Sequence, residues 1–225
     1  MPPTPLIAPA SAPFVKICGI TCAGDAALCA EAGADAIGIN FFPGSKRYHP
    51  LEQARGWLGE FSGLTARVAL FVNASLDEIR STVDSALFEA VQLHGDETRE
   101  FCAAAQTLGL PVIRGLALRS ASDIPALSDY PADALILDAH APGEYGGTGR
   151  LSDWHLAAEA VRRFPDKTIF LSGGLTPENV AQAFLEVRPF GIDLASGVES
   201  APGRKDPIKV RSFLSAAKSK PDIPH

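Results

Sequence analysis

Basic side chains are in the minority here, with 20 Lys and Arg against 26 Asp and Glu and a formal charge of −6. Such a balance offers no general cationic surface to nucleic acid, although one small pocket can still be locally positive. Cysteine is scarce too, and Cys18, Cys22, Cys29 and Cys102 contain no Cys-x-x-Cys pair and no histidine spacing of a zinc site. Reduced thiols and no metal are therefore expected. No apolar run reaches the length of a membrane span, because Asp and Glu interrupt every candidate helix. Residues 1–13 hold five prolines and no charged side chain, so they lack a secretory n-region and transit-peptide arginines and read as a disordered leader. These absences predict a soluble, cytoplasmic chain with no obligate protein partner. At 225 residues and 46% hydrophobic content it can bury one full core.

What is present alternates. Short apolar or β-branched runs recur at 14–18, 36–41, 67–72, 89–93, 111–116, 134–138, 168–172 and 190–195. Between them lie segments of helical period with start signals: Ser75 before LDEIRSTV, Asp153 before WHLAAEAVRRF, and Thr176 as N-cap with Pro177 at N1 and Asn179 at N3. After the last strand, Asp206 and Pro207 open IKVRSFLSAAK in the same way. Eight βα units in about 200 residues predict a single (βα)8 barrel of class α/β over 14–218, with 219–225 as a tail. An open doubly wound sheet is the rival, weakened because no strand is followed by Gly-x-Gly-x-x-Gly.

Strand parity then sorts the side chains. If the apolar pairs Val15 and Ile17, Ile37 and Ile39, Val91 and Leu93, Leu135 and Leu137, and Ile192 and Leu194 face the helices, their neighbours face the barrel interior. Those neighbours are Lys16, Cys18, Gly38, Asn40, Gln92, His94, Asp138 and Asp193. Polar groups at strand C-termini occupy the barrel face that carries chemistry, and burying them without a role would be costly. Asp193 is expected either to orient Lys16 through an ion pair across the neighbouring first and last strands or only to balance charge. Glycine turns follow the last three strands: Gly147 and Thr148, then Gly173 and Gly174, then Ser196 and Gly197. Backbone N–H groups in such turns suit an anion. Cys22, Cys29 and Cys102 read as buried packing thiols.

The segments KICGIT, GADAIG, FFPGSKRYHP, VQLHGDE, LILDA, EYGGTG, SGGLTPENV and GIDLASGVESAPGRKD resemble, in that order, the phosphoribosylanthranilate isomerases of tryptophan biosynthesis. Gly44 and Asn40 depart from the pattern. The resemblance implies a (βα)8 barrel that performs an Amadori rearrangement on a small phosphorylated substrate without cofactor or metal. It implies Cys18 as general base, Asp138 as general acid and Arg47 as holder of the anthranilate carboxylate. Gln92 and His94 would then line the mouth near the sugar, and Arg47 would lie across it from the phosphate turns. Opening an aminofuranoside needs a proton on the ring oxygen, and forming the ketone needs loss of the C2 proton, so one acid and one base suffice. Lys16 and a nearby helix N-terminus are expected to favour a Cys18 thiolate and make it the reactive thiol. A histidine-pathway isomerase of the same reaction type, a metal-dependent epimerase and a binding-only barrel are the other readings. The first would carry Asp at position 18, the second needs metal-binding histidines absent from these strand ends, and the third needs neither acid nor base.

Overall fold

The structure, a computed structural model, describes residues 13–139 and 151–219. Eight parallel strands close on themselves in chain order: β1 (Phe14–Cys18), β2 (Ala36–Asn40), β3 (Ala66–Phe71), β4 (Ala90–Leu93), β5 (Val112–Ala117), β6 (Ala134–Asp138), β7 (Ile169–Leu171) and β8 (Gly191–Leu194). β8 returns to β1 in a register that sets Asp193 beside Lys16. The expected (βα)8 barrel is the observed fold, and every strand ends within one residue of its predicted bounds. Gly147 and Thr148, the leader to residue 12 and the tail from residue 220 lie outside the described residues.

The connecting helices are α1 (Ala23–Glu31), α2 (Leu51–Arg55), α3 (Leu76–Val83), α4 (Arg99–Gln106), α5 (Trp154–Arg163), α6 (Val180–Val187) and α7 (Pro207–Lys218). Three start where the sequence places them. Ser75 and Glu78 form a reciprocal capping box on α3. Asp153 accepts from the His155 and Leu156 N–H groups, and Asp206 from those of Ile208 and Lys209 with Pro207 behind it. α6 differs, because regular helix begins at Val180 rather than after Thr176. Asn179 Oδ1 accepts from the Thr176 N–H at 2.8 Å, as an N3 residue would, but residues 177–179 stay a turn. The fifth unit also departs from the expected eight helices. Its helical stretch, Ala121–Leu127, is a 3₁₀ helix with Pro125 inside, and proline removes an N–H that an α-helix would need. A hairpin not anticipated from the sequence follows β8: β9 (Glu199–Ala201) pairs antiparallel with β10 (Arg204–Lys205).

Parity divides the buried side chains into two regions. Val15, Ile17, Ile37, Ile39, Leu93, Leu135, Leu137 and Ile192 join helix residues such as Cys29, Ile79 and Cys102 in one outer core. Each large aliphatic chain buried there contributes about 1.5–3 kcal/mol. Inside the barrel, Ala36, Val68, Ala90, Ile113, Ala134, Ile136 and Phe170 pack as an apolar plug over the N-terminal half. Above the plug the interior turns polar, with Lys16, Asn40, Gln92 and Asp193 all buried. The apolar floor thus lifts every ionisable interior group toward the C-terminal mouth. Among the described residues, no helix is long and apolar enough to cross a membrane.

Candidate active site

The β1–β8 seam carries the most buried charges. Lys16 Nζ donates to Asp193 Oδ1 at 2.7 Å, with side chains 2% and 6% exposed. Burial alone would lower the Lys16 pKa, but Asp193 and then Cys18 outweigh it and the net shift is upward. One step along β1 on the same face lies Cys18, with Gly38 of β2 opposite. A Cβ on Gly38 would sit 2.8 Å from the Cys18 Sγ and 3.1 Å from Lys16 Nζ, so a side chain there would displace both groups. Burial pushes the Cys18 thiol above its ordinary 9.0, more strongly than Lys16 and Lys205 pull it down. The expected resting thiolate is therefore corrected to a thiol: desolvation exceeds the attraction of its cationic neighbours.

Across the mouth a second chain of polar groups joins β4 to β6. Gln92 Nε2 lies 3.0 Å from His94 Nδ1, and His94 Nε2 lies 3.1 Å from Asp138 Oδ2. Asp138 Oδ1 accepts from the Ala139 N–H at 2.7 Å, so both carboxyl oxygens are engaged. His94 can lie flat over β5 because position 115 is glycine; a Cβ there would come within 2.2 Å of Nδ1.

Arg47 reaches the mouth from the loop after β2. Asn40 ends that strand by accepting from the Phe42 N–H and donating to Ser45 Oγ, which accepts from the Arg47 N–H at 3.1 Å. This polar strand end thus shapes the loop holding the arginine. Its guanidinium donates through Nε and Nη2, each at 2.8 Å, to the two oxygens of Glu199. Hydrogen bonding to Glu199 raises the Arg47 pKa further.

Opposite Arg47, the β7 and β8 loops meet backbone to backbone. A Cβ on Gly197 would stand 1.8 Å from the Leu175 carbonyl oxygen. Gly173 and Gly174 have φ of +92° and +65°, which glycine adopts without side-chain strain. Asn179 Nδ2 fixes this turn by donating to the Gly174 carbonyl at 3.0 Å. Ser196 and Gly197 begin a single 3₁₀ turn, Ser196–Val198. Cys18, Arg47, Gln92, His94, Asp138, Gly173, Gly174, Asp193, Ser196 and Gly197 all line one cavity of about 630 Å³ including its open mouth.

Comparison with known proteins covers most of the chain. The family described as N-(5'-phosphoribosyl)anthranilate (PRA) isomerase matches residues 15–216. The chain belongs to that family. An N-(5'-phosphoribosyl)anthranilate isomerase of Citrifermentans bemidjiense is 44% identical over 204 residues, 91% of this chain and 96% of the relative. One from Magnetococcus marinus is 43% identical over 208 residues, 92% and 96% of the two chains. The crystal structure of phosphoribosyl anthranilate isomerase from Thermotoga maritima superposes with a TM-score of 0.81 at 38% identity, covering 90% of this chain and 97% of that one. Another solved isomerase, in complex with reduced 1-(o-carboxyphenylamino)-1-deoxyribulose 5-phosphate, gives 0.78 at 36% identity, covering 90% and 97%.

In this isomerase fold Lys16 is wholly enclosed, sharing its ammonium with Asp193 rather than presenting it to the opening. Cys22 is corrected as well. It is exposed at the N-cap of α1, not buried on a helical face. Glu199 and Lys205 were not singled out from the sequence, and Asn179 was read there only as the N3 residue of a helix. Their spacing is irregular, and their partners lie up to 187 residues away, as with Lys205 and Cys18.

Proposed function

We propose that Cys18 and Asp138 act as base and acid in isomerising N-(5-phosphoribosyl)anthranilate to 1-(o-carboxyphenylamino)-1-deoxyribulose 5-phosphate. The protein is a PRA isomerase of tryptophan biosynthesis through its family. Arg47 takes the anthranilate carboxylate, and the turns at Gly173–Gly174 and Ser196–Gly197 take the phosphate, which matches a substrate with an anion at each end. Gln92 and His94 meet the sugar. Asp138 gives its proton to the ring oxygen as the C1–O bond breaks, and the anilino nitrogen supplies the electron pair that forms the C1 iminium. His94, bonded to Oδ2, keeps the carboxyl aimed at that oxygen.

The iminium withdraws electrons from C2 and makes its proton acidic. Cys18, having passed its own proton to solvent at the open mouth, removes the C2 proton as thiolate, giving an enolamine; return of a proton to C1 and loss of the enol proton yield the ketone. Burial keeps the sulfur protonated at rest. Positive charge developing at C1 favours the thiolate, so ring opening precedes C2 deprotonation. The observation that carries this reading is that the thiol and the His94-bound carboxyl face one cavity from different strands. Asp138→Asn preserves shape but has no proton to give, so turnover followed by loss of substrate fluorescence should fall about two to four orders of magnitude. A folded Asp138→Asn enzyme with near-normal turnover would remove Asp138 from the acid role.

A further inference from the structure

The hairpin after β8 has no part in the steps above, yet its buried charges are bonded to residues that line the site. Glu199 Oε1 accepts from Arg47 Nε at 2.8 Å, from Lys205 Nζ at 3.0 Å and from the Gly203 N–H at 3.3 Å, while Oε2 accepts from Arg47 Nη2 at 2.8 Å. Lys205 Nζ also donates to the carbonyls of Cys18 at 2.7 Å and Ala195 at 3.2 Å. Its side chain is 0% exposed and that of Glu199 5%. Burial opposes the Glu199 charge, but Arg47 and Lys205 hold the carboxyl below its ordinary range. The fork engages one edge of a planar cation and defines the plane in which the other edge lies. Gly19 leaves room for the arginine stem, since a Cβ there would be 2.4 Å from Arg47 Cδ. Two cations against one anion also leave the cluster net positive, so holding Arg47 does not cancel its attraction for an anion.

We infer that Glu199 and Lys205 are positioning residues for the isomerisation: Glu199 orients Arg47 toward the substrate carboxylate, and Lys205 ties that fork to the strand end bearing Cys18. The inference rests on the roles given to Arg47 and Cys18 above. It makes carboxylate recognition and the environment of the base depend on one hairpin. The charged groups acting on Cys18 are Lys16 on β1, Asp193 on β8, Lys205 on β10 and Arg47 on the loop after β2. Removing Lys205 takes away a cation that favours thiolate.

The test compares inhibition by the reduced product analogue with inhibition by the same compound lacking its carboxyl group. Wild type should prefer the carboxylated form by about tenfold or more, and Arg47→Met should abolish the preference. Glu199→Gln should erase most of it while changing affinity for the carboxyl-free compound by no more than about twofold, and should add nothing in an Arg47→Met background. A preference that survives Arg47→Met overturns the Arg47 reading and the Glu199 role with it. One that is lost in Arg47→Met but kept in Glu199→Gln overturns the Glu199 role alone. Should Glu199→Gln fail to fold, Glu199→Asp retains the charge on a shorter arm and must show the same loss. Lys205→Met should move the thiol limb of the kcat/KM profile to higher pH by roughly half a unit or more, with Lys205→Arg restoring it. A limb that vanishes in Cys18→Ser but stays in place in Lys205→Met overturns the Lys205 role. A limb that persists in Cys18→Ser overturns both that role and the base assignment.

Discussion

Cys22 is exposed at a helix start, while Cys18 is 6% exposed inside the barrel with a raised pKa. Alkylation rate follows thiolate fraction and access; burial disfavours Cys18 on both counts, whereas Cys22 is open to reagent. Brief iodoacetamide treatment followed by peptide mass analysis should therefore find Cys22 modified first with activity retained. Activity should decline only as Cys18 is slowly labelled, and a substrate analogue should protect it. Full activity after complete labelling of Cys18 would show that its sulfur is only packing. Under the proposed mechanism the same desolvation orders the steps, because a buried thiol becomes a base once a cation forms beside it.

At the level of elements, the barrel is fastened at the end remote from the cavity by a repeated device. Asp35, Glu89 and Asp133, each in the connection before an even-numbered strand, accept from the backbone N–H of Val15, Arg67 and Val112 at 2.8, 2.7 and 2.8 Å. Each also donates its own N–H to the carbonyl of the same strand residue at 2.9 Å. An odd strand is thus clamped at its start to the even strand that follows. Asp35 additionally receives Lys218 of α7 at 2.9 Å, bringing the last helix to the first strand pair. Asp35→Ala leaves the buried Val15 N–H without its carboxylate and should destabilise the fold by about 1–3 kcal/mol in urea unfolding. Because the clamp is at the opposite face from the cavity, kcat below the unfolding range should stay within about twofold of wild type. A large kcat loss in a folded Asp35→Ala enzyme would contradict this separation of stability from chemistry.

Over the whole molecule, buried thiols make stability fall toward alkaline pH. Burial raises Cys29 from 9.0 to about 12, and Cys18 and Cys102 shift in the same direction. A raised folded-state pKa gives stability that is complete below the unfolded value and is lost as pH climbs toward the folded one, because only the unfolded chain ionises in that window. For Cys29 the window runs from 9.0 to about 12. Between about pH 8 and about pH 10 Cys29 alone should remove about 1–1.5 kcal/mol, read as a drop in urea midpoint. Cys29→Ala should make that decline shallower, and an unchanged slope would remove Cys29 as its source.

Strand order, strand parity and the helix caps at Ser75, Asp153 and Asp206 were legible in the sequence, because they rest on a two-residue alternation and on contacts between near neighbours. Parity also sent Lys16, Cys18, Gln92, His94, Asp138 and Asp193 into one interior before any partner was known, since an apolar outer face leaves the other residues no second choice. Local rules were less reliable at Thr176 and at Pro125, where the turn after β7 and a missing N–H shortened or replaced a helix. Tertiary structure alone decided that Arg47 would be held by Glu199, that Lys205 would reach the Cys18 carbonyl, and that burial would outweigh cations at the thiol. Those outcomes depend on distance and dielectric between segments brought together only when β8 closes onto β1. Alternation within a strand can state which way a side chain points, but desolvation and through-space charge are set by everything the closed barrel places around it.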